Sequence, residues 1–306
     1  MRLAQFSYVR AVIANEFNIS KAAHALGTSQ PRISKQIQAL EHELGFEIFA
    51  RKRNRVLGLT PNGEAIAGIA RRISTESDQL RSIRDELISP HTGQLTVATT
   101  HSHARYTLLQ VIQKFCKEYP DVTFTLRHSD PAEIAELVAM GTVDLGMSAR
   151  PKELPPNVVC IPAYGIGRLL ITSPNHPLQK LRKLTLAEIA KYPLVGYDQK
   201  FSSGWRVMEA FSRENLSPRV VLTAIDAEVV KAYVAAGLGV AILQAFTFDP
   251  ERDKGIACRS ADTLFEPSEA MIMLRKNGYL RQYAYRFIQL IKPTIDRVTV
   301  RNAVET

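Results

Sequence analysis

Two groups of polar residues in this chain have types and spacings that could do chemistry. The first is Thr99, Thr100, Ser102 and His103 in TVATTHSHARYT (96–107), where an apolar strand-like run gives way to a helix-like one. Hydroxyls and free backbone N–H groups at a helix N-terminus hold an anion without a formal positive charge. The carboxyl end of a strand is also where ligands settle in open α/β sheets. Ser202 and Ser203 in KFSSGW (200–205) repeat the arrangement before a second helix. Each residue alone reads equally well as an ordinary helix cap. Together, on two facing lobes, they read as the halves of one small-molecule site whose occupant would control a hinge. His103 adds one hydrogen bond when neutral and a charge when protonated, so binding is expected to depend on pH around neutrality.

The second group lies in SKAAHALGTSQPRISKQIQALEHELG (20–45). Ser20 is read as the cap of a short helix through Leu26, and Gly27 as its stop. Thr28 and Ser29 are read as caps of a second helix with Pro31 in its first turn. Ile33, Ile37, Leu40 and Leu44 share one face of that helix. Gln30, Arg32, Ser34, Lys35 and Gln38 lie outside the stripe, free to meet phosphates or base edges in a major groove. An isolated helix of this kind would pass for an ordinary surface helix. Two short helices joined by a glycine turn, beside a basic hairpin, point to DNA.

The elements around these groups follow from periodicity. Leu3, Phe6, Val9 and Ile13 give a first amphipathic helix. FEIFARKRNRVLGLTPNG (46–63) reads as two short strands, 46–50 and 56–60, with Arg51, Lys52, Arg53 and Arg55 at the tip, as in the wing of a winged helix. Pro61 begins a helix to about Ile88, roughly 40 Å long. Its Ile66, Ile69, Ile73, Leu80, Ile83 and Leu87 form a heptad seam that a second copy of the chain could cover. Two copies would also suit a DNA reader with two half-sites. SPHTG (89–93) breaks the chain into a second region. There the order β-α-β-α-β over 94–149 predicts a parallel sheet, followed by a second run of strands and helices. The expected organisation is α/β overall, with a winged helix-turn-helix at 1–60, a linker and dimerisation helix at 61–89, and a two-lobed effector domain at 93–306. Lobe I is placed at about 93–163 and 268–306, and lobe II at about 164–267.

Charge and composition fit this organisation. The net charge is +9, and residues 1–60 carry nine Lys and Arg against four Glu, a net +5. A basic N-terminal fifth suits a polyanion partner. Three widely spaced cysteines argue against a disulfide framework or zinc finger. No GxSxG, Gly-rich phosphate loop or HExxH is present, so an enzyme is not expected. His101, His103 and His128 lack a carboxylate neighbour, and neither a metal nor a cofactor is expected. No apolar run approaches a bilayer span and the N-terminus lacks a signal-peptide core, so the expected place is the cytoplasm, with no membrane partner.

These features resemble those of LysR-type transcriptional regulators. The stretch AAHALGTSQPRISKQIQALEHELGFEIFAR (22–51), then LTPNG (59–63), carries the resemblance, which covers essentially the whole chain. ATTHSHARYTL (98–108), KYPLVGY (191–197), TAIDAEVVKAYVAAGLGVAIL (223–243) and LRQYAYRFIQ (280–289) are most similar to the CysB/Cbl group, which controls sulfur assimilation. The resemblance implies homodimers or homotetramers on double-stranded promoter DNA, with RNA polymerase as a possible further partner. Gln30, Pro31, Ser34 and Lys35 would meet bases and nearby phosphates, with Thr28, Ser29 and Arg32 alongside, and Arg51 and Arg53 the backbone. Sulfate, thiosulfate, acetylserine or adenosine phosphosulfate would be the effector. Ser148, Tyr164, Tyr197 and Asp226 complete the candidate effector contacts. His103 stands where the group carries an amide, and Ala149 where it carries a threonine. Asp226 and Lys231 are read as a structural pair. The alternatives are a regulator of an unrelated pathway with another effector, or a small-molecule binding protein without regulatory role.

Overall fold

A computed structural model describes residues 1–52 and 55–305. The chain divides into two compact units, Met1–Ile88 and Ser89–Thr306.

The first unit contains α1 (Leu3–Ala14), α2 (Ile19–Ala25), α3 (Gln30–Leu44), β1 (Phe49–Lys52), β2 (Arg55–Leu59) and α4 (Pro61–Ile88). Phe6, Val9, Val12, Ile33, Ile37, Leu40, Ile48 and Phe49 form its core. Leu3, expected inside, is 62% exposed, and Val12 fills the inner face of α1 instead. Asn18, not Ser20, caps α2 by accepting the Lys21 amide. Ser20 lies within the helix and donates to the Gln30 side-chain oxygen at 3.0 Å. Ser29 is the N-cap of α3 but makes no side-chain capping bond, and Gly45 ends the helix at φ +80°. The wing strands pair antiparallel from Phe49↔Leu59 to Lys52↔Arg55, so three of the four expected tip residues lie within strands. Gly63 sits so tightly under β1 that a Cβ would stand 1.9 Å from the Ile48 carbonyl oxygen.

The second unit has two lobes. Lobe I holds β3 (Gly93–Thr99), α5 (Leu108–Glu118), β4 (Val122–His128), α6 (Pro131–Ala139), β5 (Leu145–Ala149) and β6 (Val158–Ile166). The chain then crosses at Gly167 into lobe II. There follow β7 (Arg168–Thr172), α7 (Pro177–Lys180), α8 (Leu186–Ile189), β8 (Leu194–Tyr197), α9 (Ser202–Arg213), β9 (Val220–Ala224), α10 (Ala227–Ala235), β10 (Ala241–Gln244) and β11 (Ala257–Ser260). It returns through β12 (Ser268–Arg275), α11 (Gln282–Ile291) and α12 (Arg297–Glu305).

The lobe I sheet has the order β4-β3-β5-β12-β6. Its β3, β4 and β5 are parallel, as the β-α-β-α-β order demands, but β12 runs antiparallel between β5 and β6. The sheet is therefore mixed rather than wholly parallel. Sequence reasoning misses β6 because Pro162 and Gly165 read as breakers. Pro162 is tolerated because β6 is an edge strand and its register slips beside Pro162, between Ala270 and Met271 of β12. Lobe II repeats the plan: β8 and β9 are parallel, β10-β7-β11 is antiparallel, and a parallel bridge at Leu194↔Val240 joins the two sets. Each lobe thus brings the carboxyl ends of its parallel strands to the same cleft.

Candidate functional site

On the first unit, the outer face of α3 presents Gln30, Pro31, Arg32 and Lys35 to solvent, with Ser34 and Thr28 half-buried and Ser29 exposed. The bond from Ser20 uses the Gln30 oxygen, leaving its amide NH2 to donate outward. Arg51 is placed otherwise than expected. It pairs at 2.8 Å with Glu41, a buried carboxylate that also accepts the Ile48 and Phe49 amides. That guanidinium fastens the wing to α3. Lys52 and Arg55 are the exposed wing cations instead, while Arg53 lies outside the described residues.

On the second unit, the site begins where β3 ends. His103–Thr107 form a turn of π-helix leading into α5. Such wide turns shift side-chain direction and concentrate at functional sites. Here the turn aims a row of side chains at lobe II. Ser102 Oγ lies 3.2 Å from the Tyr197 hydroxyl. Tyr106 donates to Glu228, and Arg105 Nε is 3.6 Å from the same carboxylate. Burial, then the Glu228 bond, push the Tyr106 hydroxyl up to about 12.

Between the lobes lies a small pocket. Lobe I contributes Thr100, Ser102, His103, Pro131 and Ala149; lobe II contributes Tyr197, Phe201, Ser202, Ser203, Ile225 and Gln244. Its free volume is about 10 Å³, room for about one water. No lining side chain carries a formal charge except through protonation of His103. Phe201, the N-cap of α9, supplies no side-chain acceptor; its carbonyl takes the Gly204 and Trp205 amides, so only the Ser202 and Ser203 amides, at the pocket wall, are left for a ligand. Gly204 makes this approach possible: a Cβ there would stand 2.3 Å from the Asp198 carbonyl oxygen.

The expected effector residues divide. Thr100, Ser102, His103, Tyr197, Ser202 and Ser203 meet in the pocket. Thr99 is fully buried and donates to the Met147 carbonyl at 2.7 Å, tying β3 to β5. Ser148 is likewise buried and donates to the Ala149 carbonyl. Tyr164 is one shell out, its hydroxyl 2.7 Å from His103 Nδ1, and burial raises its pKa. Asp226 caps α10 through the Glu228 amide at 2.6 Å and does not line the pocket. Nor does it pair with Lys231. The Lys231 ammonium, buried, binds Asp253 at 2.8 Å, Glu228 at 2.9 Å and the Thr247 carbonyl at 3.0 Å.

His103 also departs from expectation. Its ring stacks on Phe246 at 5.0 Å, and complete burial pushes its pKa down to about 4. The ring is neutral at physiological pH, so it is not a switch around neutrality. Its Nε2 has no hydrogen-bond partner within the protein. His101 stacks on His128 at 4.4 Å. Sequence reasoning missed Gln244, Phe246, Tyr106 and Glu228; Tyr106 lies in the same turn as His103, while the other three come from elements distant in the chain that no local signal ties to it.

A helix-turn-helix with a wing, in one chain with a two-lobed ligand-binding fold, defines a DNA-binding regulator that answers a small molecule. Residues 3–64 match the family described as bacterial regulatory helix-turn-helix protein, lysR family, and residues 89–296 match the LysR substrate binding domain. The chain belongs to the LysR family of transcriptional regulators. It is 38% identical to the HTH-type transcriptional regulator SsuR of Burkholderia cenocepacia, over 98% of this chain and 97% of that one. It is also 38% identical to the regulator CysB of Haemophilus influenzae, over 99% and 94%. The solved cofactor-binding domain of the Cbl transcriptional regulator superposes with a TM-score of 0.66 at 33% identity, covering 70% of this chain and 95% of that one. Members of this family are regulators and not enzymes.

Proposed function

We propose that this chain is a regulator of sulfur assimilation that binds a small oxyanion or an acetylserine-like effector between its lobes. The observation that carries this reading is the inter-lobe pocket itself. It gathers hydroxyls from both lobes at the uncovered N-terminus of α9 and has no charged wall, which suits an anion held by hydrogen bonds. About 10 Å³ is free between the lobes. An effector larger than water would have to part them, and it would favour the parted arrangement by its greater affinity for it. The likeness to CysB, Cbl and SsuR supports the sulfur reading.

DNA would be read by Gln30, Arg32, Ser34 and Lys35 on α3, with Lys52 and Arg55 on the backbone. Dimers would form through α4, whose Ile69, Leu80, Ile83 and Leu87 remain exposed in the single chain, and dimers could pair into tetramers. Gel-shift titration on the chain's own promoter tests the reading: sulfate, thiosulfate or an acetylserine should alter complex mobility or affinity. DNA binding that none of them alters would end the sulfur assignment and leave the DNA assignment standing. A second reading, an effector outside sulfur metabolism, is favoured by His103 and Ala149 where the CysB group carries an amide and a threonine.

A further inference from the structure

Away from the cleft, lobe II holds a second polar cavity of about 150 Å³, many times the ~10–15 Å³ that one water needs. Its walls include Arg168, Arg206, Leu264, Phe265 and Glu266. Arg168 is 3% exposed. Its Nε and Nη1, and the Nε of Arg206, are buried with no hydrogen-bond partner in the protein. A buried guanidinium is ordinarily paired, because leaving donors unmade costs the full desolvation of the group. Carboxylates stand near, and the charges of Glu266 and Asp262 are felt by Arg206 and Arg168, but none bonds the unmade donors. Glu209 and Glu266 both bind Arg213. Asp262 accepts the Arg168 backbone amide and the Ser260 hydroxyl. Glu214 is at the exposed rim. The Arg206 guanidinium is fixed over the Trp205 ring at 4.7 Å.

We infer that Arg168 and Arg206 form a second ligand site, at the hinge, for a small tetrahedral oxyanion such as sulfate, phosphate or a sulfonate head group. The chemistry follows from the donors. Two guanidinium planes with three unpartnered nitrogens match an acceptor with several oxygens, and bidentate recognition of oxyanions is what arginine does best. The position follows from the topology. Arg168 opens β7 directly after the first crossing between lobes, and Leu264, Phe265 and Glu266 precede the second. Both crossings therefore line the cavity, and an anion there would bear on the lobe angle independently of the cleft. Burial, and then the neighbouring Arg206, pull the Arg168 pKa down to about 10. It remains a cation at neutral pH, and an anion would relieve that strain.

The test is calorimetry on the full chain at constant ionic strength in chloride, with sulfate, phosphate and methanesulfonate as separate titrants. A Thr100→Ala/Ser202→Ala double variant removes cleft hydroxyls without touching the hinge. This variant should still bind at least one of the three anions with a one-to-one stoichiometry. Arg206→Gln, at a half-buried position, should raise the Kd of that event tenfold or more, as should Arg168→Met if it folds. No binding of any of the three by the cleft variant, or a smaller change on Arg206→Gln, overturns the site. A wild-type chain that shows only the one binding event surviving in the cleft variant would count against the proposed function and leave this site intact.

Discussion

Ser102 and Tyr197 join the two lobes by a hydroxyl–hydroxyl contact of 3.2 Å at the floor of the effector pocket. Both groups are nearly buried, at 7% and 5% exposure, and burial raises the Tyr197 pKa, so its proton stays in place. The pair ties the lobes together at the inter-lobe pocket. Tyr197→Phe removes one side. The unliganded effector domain should lose about 1 kcal/mol of unfolding free energy, the net worth of one such bond. Inter-lobe distance measured by fluorescence transfer should broaden. An unchanged distance distribution would show that the pair does not hold the lobes.

The buried His103 gives the chain a pH signature with a definite sign. Its folded pKa of about 4 lies below the ordinary 6.5. The unfolded chain takes up a proton that the folded chain refuses, so this group costs stability as pH falls below 6.5, down to about 4. The slope is about 1.4 kcal/mol per pH unit in that window. Above pH 6.5 it contributes no slope. His103→Gln should flatten the pH dependence of denaturant unfolding between pH 6.5 and 4.5, and should leave effector affinity between pH 7 and 8 without a new titration.

Lys231 anchors α10 to the Asp253 loop, its side chain 5% exposed and that of Asp253 9%. Burial pulls the ammonium pKa down, but the bonds to Asp253 and Glu228 outweigh it and raise it. Lys231→Met strands the Asp253 carboxylate and should cost about 3–5 kcal/mol. Lys231→Met combined with Asp253→Leu should recover most of that loss. Additive losses in the double variant would show that the pair is not one unit.

Much of this was legible in the chain and some was not, for reasons that differ by residue. Ile33, Ile37 and Leu40 announce the buried face of α3 because helical periodicity is local. Thr100, Ser102, Ser202 and Ser203, which line one pocket, stand out in the chain because helix starts after strands are also local. The Arg51 ion pair is hidden because its partner, Glu41, sits ten residues back and only the folded wing brings them together. Asp226 was misread for a related cause: a carboxylate before a helix is indistinguishable in sequence as cap or ligand. His103 lines the pocket, but its neutral state is not legible, since its burial against Phe246 and Tyr164 depends on a turn and a strand that lie far along the chain.

The exposed stripe of α4 predicts the assembly. Leu80 and Leu87 are 68% and 83% exposed on the single chain, and such a stripe seeks cover. Leu80→Glu/Leu87→Glu should convert the oligomer to a smaller species in sedimentation while leaving each unit's circular dichroism intact. An unchanged sedimentation coefficient would place the interface elsewhere.

On DNA, Lys35 and Gln30 should behave differently. Lys35→Ala should weaken binding to all sequences alike and reduce the salt slope by about one. Gln30→Ala should relax preference at one base pair by about 1–3 kcal/mol. Equal loss on specific and random DNA for Gln30→Ala would remove it from base reading.

The most direct test of the central claim is calorimetric titration of the full chain with sulfate, thiosulfate, O-acetylserine, N-acetylserine and adenosine phosphosulfate, alongside Thr100→Ala and Ser202→Ala. Saturable binding of at least one of them is expected, weakened tenfold or more by either substitution, because each removes a hydroxyl from one lobe of a two-lobed site. Binding that neither substitution alters, or no binding by any of the five, would contradict an effector held between the lobes by these residues.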